Sequence, residues 1–246
     1  MTTKDIEIGF WRFNDGFWPQ SLPVEDTGIF ETDRLIVALS TLNQDVRNLS
    51  ASKRKELRRV WSETLPKLDN VKYLMTTHQI DQSFFESICC MQNLEGLYVK
   101  WGKVESLDSI SQLTNLKHLY FGSNPRLQSI EGISKLIKLE TLELENFQKV
   151  GDFNKLSSLI NLQSLVISTS IDGPRIKIND LEFLKGLTGL KVLCLGITLK
   201  SKDINPILHL EKLVKLWIPE NLIKPYDKKD LRKILKNIKY GSLINS

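Results

Sequence analysis

A short pattern of apolar residues, L-x-x-L-x-L, returns at nearly constant intervals through the middle of the chain. The steps between successive copies are 23, 22, 23, 23, 28 and 23 residues. Alternate side chains of a strand share one face, so each copy predicts a short strand with one buried face. The fixed period predicts parallel coils stacked into one solenoid. A degenerate copy starts the series and six regular copies follow, beginning at Val71, Leu94, Leu116, Leu139, Leu162, Leu190 and Leu213.

A second pattern fills the segments between these strands, where apolar residues recur every third position. One run is Val104, Leu107, Ile110 and Leu113, and the next coil repeats it from Leu127 to Leu136. A spacing of three matches the 3₁₀ helix, which has three residues per turn. We therefore expect tight 3₁₀-like turns on the convex side of the solenoid.

The segment Leu116-Lys-His-Leu119-Tyr-Phe121-Gly-Ser-Asn124 resembles a repeat of the internalin-like leucine-rich repeat family, whose repeats are about 22 residues long. The resemblance implies an α/β fold, a leucine-rich repeat horseshoe with a parallel concave sheet and a convex side of short helices and 3₁₀ turns. An asparagine in the ninth position can bond free backbone groups at the bend. Since other coils carry Gly102 or Phe147 there, we expect a broken asparagine ladder.

The repeats occupy residues 67–222, and residues 1–66 precede them as an N-terminal flanking or cap region. Asn14-Asp15-Gly16 is a hairpin signal, and residues 52–65 predict an amphipathic helix with Ser52 as its N-cap. Leu35 to Leu42 fits a helix or a strand equally well. Five aromatic residues surround the hairpin signal: Phe10, Trp11, Phe13, Phe17 and Trp18. They form either a plug over the open end of the solenoid or an exposed recognition surface, and we favour the plug.

Residues 223–246 predict a C-terminal cap helix, which begins at Asp227 and stops at Gly241. Leu231, Ile234, Leu235 and Ile238 fall on one face of it. In the first coil, Ser83 and Glu86 form a capping box that predicts another short helix. The fold class is thus a repeat solenoid with helical caps at both ends.

Composition and motifs exclude several classes of function. Three cysteines without framework spacing indicate a reducing compartment, and three scattered histidines do not make a metal site. The chain shows no signal peptide and no apolar run long enough for a membrane span, so we expect a cytoplasmic monomer. We interpret Cys89 and Cys90 as small apolar residues of the core. Without a catalytic motif, we expect no enzyme activity, cofactor or metal.

Function is expected on the concave face, where the side chains between the apolar positions of each strand project. Tyrosine and tryptophan dominate protein-binding hot spots, since they bury a large area with a polar handle. We therefore expect a protein partner on this face, with the protein acting as an adaptor or as a bacterial immunity-type inhibitor. The candidate partner-binding residues are Tyr73, Tyr98, Lys100, Trp101, His118, Tyr120, Glu143, Glu145 and Trp217.

An alternative function rests on charge. Seven basic and two acidic side chains follow Leu222, so this tail carries the whole net charge of +5. The Lys-rich C-terminal helix could bind nucleic acid or another anionic surface, but a solvated cap helix explains the same charges and is the reading we favour. The longer step between two repeats holds an insertion, residues 170–177. It indicates either a loop on a working face or drift in loop length.

Overall fold

The computed structural model describes residues 17–18, 32–170 and 173–244. The predicted hairpin at Asn14-Asp15-Gly16 and the aromatic residues Phe10, Trp11 and Phe13 lie outside these ranges. Within the described part of the chain the strands are β1 (Arg34–Val37), β2 (Tyr73–Asp81), β3 (Gly96–Lys103), β4 (His118–Phe121), β5 (Thr141–Glu145), β6 (Ser164–Ser168), β7 (Ile176–Ile178), β8 (Val192–Leu195), β9 (Ile197–Leu199), β10 (Lys215–Trp217) and β11 (Tyr240–Gly241).

Nine of these strands form one parallel sheet in the order β1-β2-β3-β4-β5-β6-β8-β10-β11. The second leucine of every L-x-x-L-x-L copy is paired with its counterpart in the next coil, so that a row of side chains crosses the whole sheet. Every member is at most 1 % exposed, which places the row in the core. The predicted leucine-rich repeat solenoid, with its parallel sheet, is confirmed. The row consists of Leu74, Leu97, Leu119, Leu142, Leu165, Leu193 and Leu216.

The opposite side of the central coils is built of short 3₁₀ helices, as the three-residue spacing predicts. They span Asp108–Gln112, Glu131–Lys135, Asn154–Ser158 and Glu182–Gly186. The apolar residue in the middle of each is fully buried against the sheet. One 3₁₀ turn per coil satisfies the local backbone groups and closes the path from one strand to the next.

Asparagine side chains tie neighbouring coils together. Asn124 is buried, and its Nδ2 donates to the Val104 carbonyl oxygen at 3.0 Å, as expected for the asparagine after a strand. A second set, which the sequence analysis missed, precedes the strands. Each member donates from Nδ2 to a backbone carbonyl of the preceding coil, at 2.8–3.1 Å: Asn93, Asn115, Asn161 and Asn237. These hydrogen bonds link neighbouring coils in addition to the incomplete series of ninth-position asparagines.

The N-terminal end of the solenoid differs in detail from the prediction. The undecided stretch from Leu35 contains the edge strand β1, which adds a coil ahead of the first predicted repeat. A short helix, α1 (Gln44–Asn48), follows, and then α2 (Ala51–Thr64), which packs Leu57 and Trp61 into the core. The N-cap of α2 is Ser50 rather than Ser52, because Ser50 Oγ accepts the Lys53 N–H at 3.2 Å.

The next helix, α3 (Gln82–Cys89), also begins earlier than its predicted capping box. Its N-cap is Asp81, whose Oδ1 accepts the Phe84 N–H at 3.0 Å. A carboxylate in this position satisfies one of the free N–H groups of the first turn and leaves Ser83 inside the helix.

The C-terminal end is closed by a strand as well as by helices. After α4 (Asn205–Leu208) and α5 (Glu220–Ile223), the helix α6 (Lys228–Ile234) is capped by Asp227 and ends well before Gly241. Strand β11 then pairs with β10 and covers most of that edge of the sheet. Ile234, predicted to face the core, is 49 % exposed.

Gly241 closes this edge strand through its backbone conformation. Its φ of +106° and a Leu216 carbonyl oxygen only 1.9 Å from any added Cβ leave room for glycine alone. The predicted helix stop is therefore a strand residue, whose glycine is needed for close pairing.

Candidate functional site

The predicted binding residues lie along the sheet, but the structure separates them into two groups. Those on β2 to β5 gather around a buried aromatic cluster, whereas Trp217 on β10 is 46 % exposed and belongs to an open pocket at the other end. We call the first group the aromatic cluster, comprising Phe17, Trp18, Tyr73, Met75, Tyr98 and Tyr120. We call the second the Trp217 pocket, lined by Val166, Ser168, Arg175, Cys194, Leu195, Gly196, Trp217, Ile218 and Pro219.

The centre of the aromatic cluster is a stacked pair of tyrosines. Tyr98 and Tyr120 occupy paired positions on β3 and β4, and their ring centres are 4.1 Å apart with planes inclined by 6°. Tyr120 is completely buried and Tyr98 is 9 % exposed. The side chains that the sequence predicted as an open binding surface are therefore largely covered.

Part of this cover comes from the N-terminal region. Phe17 meets Tyr73 edge to face at 5.1 Å and Trp18 at 5.1 Å, and both residues pack against the tyrosine pair. Arg34 on β1 donates from Nη1 to the Phe17 carbonyl oxygen at 2.8 Å, and its guanidinium carbon lies 4.1 Å from the Phe17 ring centre. These two residues thus lie against concave-face side chains of β2 to β4, not only at the open end of the solenoid.

A cation lies beside the cluster. Lys100 Nζ is 5.9 Å from the ring centre of Tyr120 and 5.7 Å from that of Trp101, both within the range of a cation–π interaction. Lys100 and Trp101 are half-buried in β3. The structure therefore brings Lys100 beside both Tyr120 and Trp101.

Tyr120 is fixed by its hydroxyl as well as by its ring. The hydroxyl donates to the Glu145 carboxylate, and burial together with this bond raises the pKa of Tyr120. Gly122 leaves the necessary space, since a Cβ there would lie 2.5 Å from the Lys100 carbonyl oxygen and 2.9 Å from the Tyr120 ring. Glu145 is thus a hydrogen-bond partner of the cluster.

His118 and Glu143 are buried beside the cluster. His118 is 3 % exposed, with its Nδ1 3.0 Å from Thr141 Oγ1, and burial, together with the charge of Lys117, lowers the pKa of His118 to about 3. Glu143 is 8 % exposed. In this structure neither side chain offers an open contact surface.

The Trp217 pocket is open and largely apolar, with a volume of about 260 Å³. The rim is supplied by the insertion, because Arg175 is exposed there beside β7, which pairs with β9 in a separate two-stranded sheet. Thr169 Oγ1 holds the turn by donating to the Pro174 carbonyl oxygen at 2.9 Å. The period of two places Val166 and Cys194 on this face, but no sequence signal shows that Arg175 reaches it.

Burial keeps two of the three cysteine thiols, Cys89 and Cys194, in their protonated form. Burial raises the pKa of Cys194 to about 11 and that of Cys89 still further, so both thiols are poor nucleophiles. Within residues 17–18, 32–170 and 173–244, no cluster of histidine, cysteine, aspartate or glutamate could hold a metal ion. No helix in these ranges is long and apolar enough to cross a membrane.

The basic C-terminal tail is partly occupied by contacts within the chain. Arg232 Nε donates to the Leu243 carbonyl oxygen at 2.6 Å, and Lys233 forms an ion pair with Asp230 at 2.7 Å. Lys224 and Lys229 are exposed. The tail therefore offers fewer unpaired charges than its composition indicates.

Comparison with known proteins supports the repeat assignment. A family model described as leucine-rich repeats (two copies) matches residues 114–159. A search of curated proteins finds no match. The solved structure of internalin C2 from Listeria monocytogenes is similar, with a TM-score of 0.54 and 22 % identity over 74 % of this chain and 79 % of that chain.

A chain in the structure of the Arabidopsis receptor kinase HAESA with the peptide hormone IDA and the co-receptor SERK1 is similar too, with a TM-score of 0.51 and 18 % identity. The match covers 74 % of this chain but only 31 % of that chain. At these identities the likeness concerns the fold. Taken with the leucine-rich repeats matched in residues 114–159 and the strand register, it shows that the chain has a leucine-rich repeat fold similar to that of internalin C2.

Proposed function

We propose that the protein binds a protein partner on its concave face, with the Trp217 pocket as the open contact surface. The observation that carries this proposal is a tryptophan 46 % exposed beside an apolar pocket of about 260 Å³. A large aromatic side chain on a rigid strand binds with little loss of entropy and is a frequent hot spot. Repeat solenoids use such extended concave surfaces for binding.

The pocket also indicates the chemistry of the partner. Val166, Ile218 and Pro219 offer apolar contacts, whereas Arg175 adds an exposed guanidinium at the rim. A guanidinium forms bidentate hydrogen bonds with a carboxylate. The partner therefore presents an apolar side chain to Trp217 and an aspartate or glutamate to Arg175.

The role is that of an adaptor or of an immunity-type inhibitor that blocks a toxin, and we place it in the cytoplasm. The three cysteines Cys89, Cys90 and Cys194 are all free, in keeping with a reducing compartment. Adaptor and inhibitor differ only in the partner, so identifying the partner distinguishes them.

A photo-crosslinking amino acid at position 217 tests the proposal in a native lysate. The matched control places the same amino acid at Ile160, which is 66 % exposed and lies outside the Trp217 pocket. We expect one protein to be crosslinked from position 217 and not from position 160. Equal products from both positions, or nucleic acid removed by added salt, would contradict the proposal and favour the basic tail.

A further inference from the structure

We propose that the aromatic cluster is a second binding site, for a peptide segment with two successive aromatic residues, and that Phe17 and Trp18 of the chain itself occupy it in this structure. The proposal concerns β1 to β4 and does not depend on the Trp217 pocket. A partner that uses this part of the concave face has to displace Phe17 and Trp18 and supply similar side chains.

The first argument is that this cluster is separate from the core. The continuous core contains the leucines of every coil, whereas Tyr98 and Tyr120 form their own buried cluster with Phe17 and Trp18 packed against it. The coils bury their apolar faces against one another without these two residues. Phe17 and Trp18 therefore contact the tyrosine pair as a segment bound to an already folded surface. Losing this contact leaves the core of the solenoid in place.

The second argument is the kind of contact that Phe17 makes. Its carbonyl oxygen accepts a hydrogen bond from Arg34 Nη1 at 2.8 Å, and its ring contacts both the Arg34 guanidinium and the Tyr73 ring. One main-chain bond combined with one side-chain contact is how peptides are recognised by preformed surfaces. The receptor side consists of Arg34, Tyr73 and the stacked tyrosines.

The third argument is the composition of the receptor side. Two tyrosines stacked at 4.1 Å, a third tyrosine and Met75 form a surface of aromatic and polarisable groups. Such surfaces bind aromatic side chains through edge-to-face and sulfur contacts. Phe17 and Trp18 are themselves only half-buried, so they can leave without breaking the core.

A peptide added in trans tests the inference. The probe is a fluorescein-labelled peptide with the sequence of residues 12–23, and fluorescence anisotropy reports its binding to the full chain. The receptor is the full-length variant Phe17→Ala/Trp18→Ala, compared with the wild type. A segment in cis has a high effective concentration. We therefore expect the wild type to bind the peptide at least tenfold more weakly than the variant.

Three controls fix the location of the bound peptide. Adding Tyr98→Ala to the double variant should reduce binding at least tenfold, whereas adding Trp217→Ala should leave it unchanged. A peptide with alanine in place of both aromatic residues should not bind. If the double variant is not folded by circular dichroism, the single variant Trp18→Ala replaces it. Equal binding by wild type and variant, or equal binding of the alanine peptide, overturns the proposal.

Discussion

Tyr98 and Tyr120 lie side by side on adjacent parallel strands, with ring centres 4.1 Å apart and almost parallel planes. Their equal position in successive coils brings the two rings face to face, since the register pairs Tyr98 with Tyr120. The pair is buried under further aromatic side chains. Residues of a type that dominates binding surfaces thus serve here, in part, to hold Phe17 and Trp18 on the sheet.

Truncation of Tyr120 should therefore destabilise the protein. Tyr120→Ala removes a completely buried ring, and we expect a loss of about 3–5 kcal/mol in the free energy of unfolding. Tyr120→Phe keeps the ring and removes only the hydrogen bond to Glu145, so we expect a smaller loss of about 1–2 kcal/mol in the free energy of unfolding. Urea denaturation followed by circular dichroism measures both. A near-zero loss for the alanine variant would show that the cluster is not formed in solution.

Gly122 should not tolerate a side chain. Gly122→Ala places a Cβ 2.5 Å from the Lys100 carbonyl oxygen and against the Tyr120 ring, and overpacking of this kind costs roughly 1–3 kcal/mol. Gly151 is the matched control, because a Cβ there meets no atom within 4 Å. Thermal melts should show a lower Tm for Gly122→Ala and an unchanged or higher Tm for Gly151→Ala. Equal effects would argue against the packing of Tyr120 over Gly122.

The register of the repeats predicts a large effect at Leu142. Leu142→Ala leaves a cavity at a site 1 % exposed, with an expected cost of about 2–5 kcal/mol. Ile160→Ala, at 66 % exposure, should change stability by less than about 0.5 kcal/mol. Denaturant melts of the two variants test the assignment, and similar midpoints would mean that the leucine row is misplaced.

The buried histidines make stability depend on pH. Burial lowers the pKa of His78 to about 4 and that of His118 to about 3, from an ordinary 6.5. Well above pH 6.5 both histidines are neutral in the folded and in the unfolded chain. As the pH falls toward 4 the unfolded chain takes up protons first, so the free energy of unfolding decreases, by an amount on the order of 3 kcal/mol for each histidine.

Urea midpoints measured from pH 7.5 to 4.5 test this dependence. The variant His118→Gln should show a smaller decrease than the wild type because it carries one titrating group fewer. A wild-type midpoint that stays constant over this range, or an unchanged decrease in the variant, would contradict the burial of His118.

The repeat architecture could be predicted from the sequence because each coil repeats the same local rule. An apolar residue at every L-x-x-L-x-L position specifies the strand, its inward face and its register, and Leu142 lies where that rule places it. The three-residue spacing likewise specifies the 3₁₀ turns. The ends of the solenoid do not repeat. Features found there, such as the helix N-cap Ser50 and the edge strand β11, depend on local contacts that a repeat pattern does not show.

The candidate site was only partly predictable for a related reason. Period two places Tyr98, Tyr120 and Trp217 on the same face, and the structure agrees. What covers a residue on that face depends on distant contacts. Phe17 is 81 residues before Tyr98, and Arg175 arrives on an insertion, so neither contact leaves a mark in the repeat pattern.

The affinity of the crosslinked partner for the Trp217→Ala variant tests the central claim most directly. Isothermal titration should show binding weakened by at least about 2 kcal/mol relative to the wild type, a loss of roughly thirtyfold, as expected for a hot-spot tryptophan. Ile160→Ala should bind like the wild type, and added salt should have little effect. Equal affinity of Trp217→Ala and wild type, together with binding abolished by salt, would contradict concave-face recognition at Trp217.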